Sequence, residues 1–404
     1  MTEEPEEFKH VEVHFPLILI KTKRGLNAMD RASKSRLTRP LSNFYLYIMP
    51  IIAAVMIFIA LFAITRYLYN PQLGSVVRGL GVTANLLIPG LNPYLPIVYG
   101  WIALFTGLIV HEASHGIVAR ANGFTVKDSG LIFFLFVPIG AFVELDEEEL
   151  KVAKPGVAGR ILAAGAGSNI LTAMISLILM LALVASMTPV PGHGLGVLSV
   201  EPGSPAYLAG LKSGDILVSL NGTQFTTVSQ LTAYMQNTTK GMTETFYYYD
   251  GGILKSGSSV LVQNPSDPGI GFLGITASDD PSIVLKDFLT VSPLSLSRYF
   301  IFPSISPAQV PFTSQMSVFY SSPLGPAADV LANLFFWVWF VNFNVALFNA
   351  LPLGPFDGGV AFRHLLRAIS HADWNDRTVA RASNIVTALM TVMVLALIIV
   401  PWVT

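Results

Sequence analysis

TGLIVHEASHGIVAR, residues 106–120, places three ionisable side chains, His111, Glu112 and His115, inside an otherwise apolar run. On a helix the two histidines, four positions apart, project from one face one turn from each other. That spacing suits two imidazole ligands on one metal ion, with Glu112 able to act as a general base on water. HExxH is short and arises by chance in many chains. Here it sits in the apolar run 95–119, about the length a membrane-spanning helix needs. Ionisable residues at membrane depth are costly and mark function far more often than packing.

Outward from this run the chain stays apolar. Hydrophobic residues make up 52% and charged residues 12%, roughly half the charged share of a soluble protein. Further spans are expected at 46–65, 157–187, 327–348 and 385–403. The segment 131–145 (LIFFLFVPIGAFVEL) is too short to span as a helix and is broken at Pro138 and Gly140, so two short strands or a re-entrant hairpin are expected. Lys and Arg crowd 21–39, 120–160 and 363–381. With five spans all three clusters fall on one side, which predicts a cytoplasmic N-terminus in a multi-pass protein of the cell membrane. A net charge of −1 gives no basis for nucleic-acid binding. Zero cysteines exclude disulfides, thiolate metal sites and a cysteine nucleophile. The acidic start, residues 1–7, lacks the apolar core of a cleavable signal peptide.

Between the third and fourth spans the composition changes. GLGVLSVEPGSPAYLAGLKSGDILVSLNG, residues 194–222, alternates apolar and polar positions and carries turn signals at Pro202-Gly203 and Asn221-Gly222. The expected architecture is therefore a multi-pass α-helical membrane protein with an inserted small soluble α+β domain. Its expected division is a basic N-terminal segment 1–43, a first membrane part 44–191, an extracytoplasmic domain 192–280, a linker or interfacial segment 281–326, and a second membrane part 327–404. Residues 11–20 read as a strand or an interfacial piece. His10, His14, His193, His364 and His371 have no partner at ligand spacing and read as surface residues.

Two histidines leave a zinc site one protein ligand short. Asp357 is the candidate third, in NALPLGPFDGG (residues 349–359), where prolines and glycines break the helix directly after the fourth span. Irregular backbone at membrane depth is tolerated only where it is buried or lines a cavity. A site of two histidines and a carboxylate keeps a fourth position for water, which suits hydrolysis rather than structural support. On the third span Gly165-Ala166-Gly167-Ser168-Asn169 reads as close helix packing. Asn169 is the exception, since its amide needs a partner and could hold a substrate carbonyl or oxyanion.

These residues resemble the motifs of the site-2 protease family of intramembrane metalloproteases. HExxH stands at His111–His115, NxxPxxxxDG at Asn349, Pro352, Asp357 and Gly358, and the looser GxxxN at Gly165 and Asn169, with Ala166 where a proline often follows the glycine. The likeness covers roughly residues 94–375. It implies Zn2+ held by His111, His115 and Asp357, Glu112 activating water, and Asn349 holding substrate. It also implies a membrane-associated hairpin at 131–145 that offers a strand edge to transmembrane protein substrates already trimmed by another protease. Residues 197–222 resemble a PDZ domain of the kind inserted in bacterial members, which implies peptide-end binding by strand addition. Leu195-Gly196-Val197 and Phe272-Leu273-Gly274-Ile275 are the carboxylate-loop candidates, the second preferred. Two other classes compete: a catalytically silent PDZ-containing scaffold, which an intact Glu112 disfavours, and an ion transporter, which would leave the i, i+4 histidines unexplained.

Overall fold

The apolar runs fold as helices longer than the runs themselves, because the flanking Arg, Thr and Ser residues are compatible with helix and can keep their polar ends in water. The spans are Thr38–Tyr69, Ile97–Ala121, Pro155–Ala185, Ala327–Ala350 and Asp376–Val403. Among the described residues these five helices are long and apolar enough to cross a membrane. The structure is a computed structural model that describes residues 11–404 apart from 24, 136, 291–298, 301 and 371–373. The chain divides into two compact units, one ending at Ile175 and resuming at Trp337, the other Ser176–Phe336.

In the membrane unit the core is made by Tyr45, Met49 and Met56 of the first span, Ile161, Ala164 and Ile170 of the third, and Ala346 and Leu347 of the fourth. Small residues on the third span set how closely its neighbours approach. A Cβ at Gly167 would lie 2.5 Å from the Tyr45 ring.

Residues 11–20 are strands. β1 (Val11–His14), β2 (Leu17–Thr22), β3 (Val126–Phe134) and β4 (Val137–Leu145) form one antiparallel sheet in that order. The hairpin expected at 131–145 thus begins earlier and gains two strands from more than 100 residues upstream, a pairing that no local pattern announces. The Phe142 ring lies over Gly130, whose absent Cβ would also meet the Ile20 carbonyl at 2.3 Å. Helix Leu26–Ser33 follows β2 and packs Met29 against Gly116 of the second span. Its Asp30 pairs with Arg120, which also donates to the Val126 carbonyl at 3.1 Å. The N-terminal segment therefore clamps the end of the second span to β3.

The other unit is built on β5 (Leu195–Val200), β6 (Ile216–Leu220), β7 (Thr223–Gln224), β8 (Thr243–Asp250), β9 (Ile253–Val260) and β10 (Ile275–Ser278). The sheet order is β9-β8-β6-β5-β10, with β7 paired on β6. Asn221 and Gly222, both at positive φ, turn β6 into β7 as a tight hairpin. Helix Val228–Met235 starts with a Thr227–Gln230 capping box and places Leu231 and Met235 on the core of Leu195, Leu217, Leu220 and Phe246. This is the PDZ-like domain, with β10 as an edge strand. Residues 281–326, expected to be linker or interfacial, begin with helix Pro281–Leu289 and bury Phe288, Phe312, Met316 and Phe319. The aromatic residues of that stretch pack on one another, Phe288 edge-on to both Tyr299 and Phe312.

Candidate metal centre

His111 and His115 project from the second span, both more than nine-tenths buried. Asp357 opens helix Asp357–Ile369 after the break at 351–356. Two glycines make that placement possible. A Cβ on Gly358 would meet the Leu351 and Ala350 carbonyls at 2.3 and 2.4 Å, and one on Gly359 the Leu353 carbonyl at 2.4 Å. The chain folds back on the end of the fourth span too tightly for any other residue at either position, and this fixes Asp357.

The three side chains converge. Oδ2 of Asp357 lies 3.0 Å from Nε2 of His111 and 3.2 Å from Nε2 of His115, and the two nitrogens are 3.3 Å apart. A tetrahedral ion with ligands at about 2.0–2.1 Å spaces them about 3.3 Å apart, so the set fits zinc. Among the described residues this is the one group of three potential ligands close enough to share an ion. The imidazole of His115 supports that fit. Its Nδ1 lies 2.7 Å from the Ile161 carbonyl, and donating a proton there leaves the Nε2 lone pair facing the other two groups. Nδ1 of His111 is buried with no partner among the described residues.

Two further features shape the site. Gly165 of the third span lies against both imidazoles, where a Cβ would come within 2.4 Å of each Nε2. Glu112 accepts from the Val143 N–H of β4 at 3.1 Å. That N–H faces outward from β4, the edge strand nearest the histidines, so the sheet edge and the carboxylate adjoin.

The two asparagines differ. Asn169, one turn beyond Gly165, is fully buried, and neither its Oδ1 nor its Nδ2 has a partner among the described residues. Asn349 lies half-buried in the last turn of the fourth span. Sequence reading passed over Asn342, fully buried on the same helix, which donates to Val338 at 2.9 Å and to Ala103 of the second span at 3.5 Å. An amide in an apolar span was signal enough to find it. The Asp30 clamp, the Ile161 carbonyl and the Val143 amide had no such signal. Of the remaining histidines, His14 and His193 are largely exposed beside Glu12 and Asp280. His364, expected at the surface, instead lines an apolar cavity. His10 and His371 lie outside the described residues.

A model of peptidase family M50 matches residues 99–397, close to three quarters of the chain. The chain belongs to peptidase family M50. An uncharacterized protein of Methanocaldococcus jannaschii is 25% identical over 340 residues, spanning 84% of this chain and 75% of that one. A Clostridium perfringens protein provisionally named a zinc metalloprotease is 24% identical over 308 residues, 68% of this chain and 88% of its own. PDZ domains of SdrC-like proteins from Listeria monocytogenes and Listeria innocua are similar over 22% and 21% of this chain, and 93% and 92% of theirs. Their identities are 24% and 28%, with TM-scores of 0.20 and 0.19. The M50 match begins after the first span, so β1, β2 and that span lie ahead of the family region of this M50 peptidase.

Proposed function

We propose that this M50 protein is an intramembrane zinc metalloprotease that cuts transmembrane segments of membrane-tethered proteins. The observation that carries the reading is the meeting of His111 and His115, on a helix apolar enough to span, with Asp357 at separations of 3.0–3.3 Å. These three residues would hold the ion. Zinc, when bound, supplies Lewis-acid polarisation of a carbonyl and acidifies water. Glu112 takes the proton of the attacking water and delivers it to the leaving amine. The outward edge of β4 pairs with an unwound stretch of substrate, since peptide bonds in an intact helix have their carbonyls occupied and shielded. Asn349 holds the same stretch, and Asn169 donates to the oxyanion that develops at the scissile carbonyl.

In this reading the N-terminus is cytoplasmic and the PDZ-like domain lies outside, an orientation supported by the distribution of positively charged segments. Substrates arrive shortened by another protease, and the PDZ-like domain bars those with bulky outer parts. The test is reconstitution of purified protein in vesicles with a single-span substrate. Wild type should carry about one zinc per chain and cleave within the span. Glu112→Gln should keep the zinc and lose cleavage. Cleavage by Glu112→Gln at the wild-type rate would remove the general base and with it this reading.

A further inference from the structure

A cavity of about 550 Å³ lies between the first span, the start of the third, the end of the fourth and helix Asp357–Ile369. Leu46, Pro50, Ala53 and Ile57 of the first span line it. They recur at helical spacing, so they form one stripe, and Arg39, seven residues before Leu46, lies on the same stripe. The start of the third span repeats that arrangement, with Pro155 and Gly156 lining the cavity directly after Lys154. Arg39 and Lys154 are both exposed, at or just before the N-terminal ends of their spans, and neither makes an ion pair among the described residues. His364 brings an imidazole to the lining. Burial, followed by the charges of Arg367 and Arg363, holds it below the ordinary histidine range.

We propose that this cavity is a phospholipid site: one acyl chain fills it, and the phosphate of an anionic headgroup rests on Arg39 and Lys154. The volume discriminates between occupants. A transmembrane helix is about 10–12 Å across with its side chains, so 550 Å³ admits about one turn of it. A flexible acyl chain has no such requirement, and it buries methylenes against the apolar walls without leaving backbone amides unpaired. The basic rim then selects among lipids, because each Lys or Arg at a bilayer surface favours an anionic headgroup severalfold. The site is also placed to matter. Ala350, Pro352 and Gly358, which flank the break holding Asp357, form one wall. The first span, which forms the opposite wall, lies ahead of the M50 match. The binding claim stands independently of the reaction proposed above.

Full-length protein, washed in detergent and returned to phosphatidylcholine vesicles with or without phosphatidylglycerol, provides the test, read as lipid retained per chain by mass spectrometry. Wild type should retain about one phosphatidylglycerol in preference to phosphatidylcholine. Ala54→Phe, which fills the cavity, should retain neither. The double variant Arg39→Gln/Lys154→Gln should keep a lipid but lose preference, by about fivefold for each basic residue. Zinc content reports whether each variant is folded. If Ala54→Phe does not fold, a photo-crosslinking residue at Ala54 decides instead. Capture of phospholipid supports the proposal, whereas capture of a transmembrane substrate peptide overturns it. Equal retention of the two lipids by wild type, or undiminished retention by zinc-loaded Ala54→Phe, also overturns it.

Discussion

The two units bury polar side chains in different ways. In the PDZ-like unit, Asp280 is almost wholly buried and accepts from the Gly194 N–H at 3.0 Å and the Ser282 N–H at 2.8 Å. Asp215, equally buried, accepts from the Lys212 N–H at 2.9 Å. Each carboxylate answers a backbone donor, the usual arrangement for a buried polar group. In the membrane unit, both amide atoms of Asn169 and Nδ1 of His111 have no such partner among the described residues. There, the Nε2 atoms of two imidazoles and a carboxylate oxygen face one another. The first pattern is turn architecture. The second is costly at membrane depth, and a ligand is the natural explanation for keeping it.

Substitutions at the metal centre should separate these patterns most sharply. Glu112→Gln is expected to lower cleavage by at least about 10²–10⁴-fold with zinc retained, because a general base is removed and no ligand is. Asp357→Ala should lose both, and full zinc occupancy in that variant would remove Asp357 from the ligand set. Gly165→Ala comes next. Alanine normally favours a helix over glycine by about 1 kcal/mol. Here its methyl would lie 2.4 Å from both imidazoles, so zinc affinity should fall while the helix stays intact. Unchanged metal titration in Gly165→Ala would show that the two spans separate easily.

A paired experiment tests the comparison itself. Asp280→Ala should destabilise the PDZ-like unit by about 2–4 kcal/mol, since it strips a helix cap and leaves buried N–H groups unpaired. Asn169→Leu should cost the membrane unit less than about 1.5 kcal/mol, because the two side chains share one branched shape and heavy-atom count and no hydrogen bond is lost. Its effect should fall on the rate, about 10²-fold if the amide meets the oxyanion. Denaturation and initial rates, measured on both variants, give the answer. A large stability loss in Asn169→Leu with a normal rate would make Asn169 a structural residue after all.

What could be read from sequence follows from range. The spans were legible because hydropathy is a property of consecutive residues, and the i, i+4 histidines because a helix fixes their geometry. Asn221-Gly222 announced its hairpin for the same local reason. Pairing of β2 with β3 was not legible, since Leu17 meets Phe134 across the whole first and second spans. Residues 281–326 read as a linker or interfacial segment from their serines, prolines and aromatics, but which of those aromatics pack on one another is not a local property of the sequence. At the metal centre the side chains were visible as residue types. The Ile161 carbonyl, the Val143 amide and the Asp30–Arg120 pair were not, because backbone atoms carry no sequence signature and the pair joins positions 90 apart.

Glu244 is a residue of the PDZ-like unit that breaks its pattern, and it yields the smallest effect. It is fully buried on β8, with Oε2 accepting from the Tyr234 hydroxyl at 2.9 Å and Oε1 without a partner among the described residues. Burial raises its carboxyl above the ordinary glutamate range, and the Tyr234 hydrogen bond only partly opposes this. The folded state therefore holds the proton more tightly than the unfolded chain does. Below the ordinary glutamate value both states are protonated and there is no penalty. As pH rises from that value through the raised one, the penalty grows, and stability falls. Glu244→Gln keeps an oxygen for Tyr234 and removes the charge, so it should protect the Thr243–Asp250 amides from hydrogen exchange at pH 7 slightly more than wild type. At pH 4 the two proteins should exchange alike. Comparing them at each pH cancels the intrinsic dependence of exchange and the titration of other groups. If Glu244→Gln were less protected than wild type at pH 7, the ionised carboxylate would have to be satisfied in the fold, and Glu244 would join Asp280 and Asp215 on the structural side of the comparison.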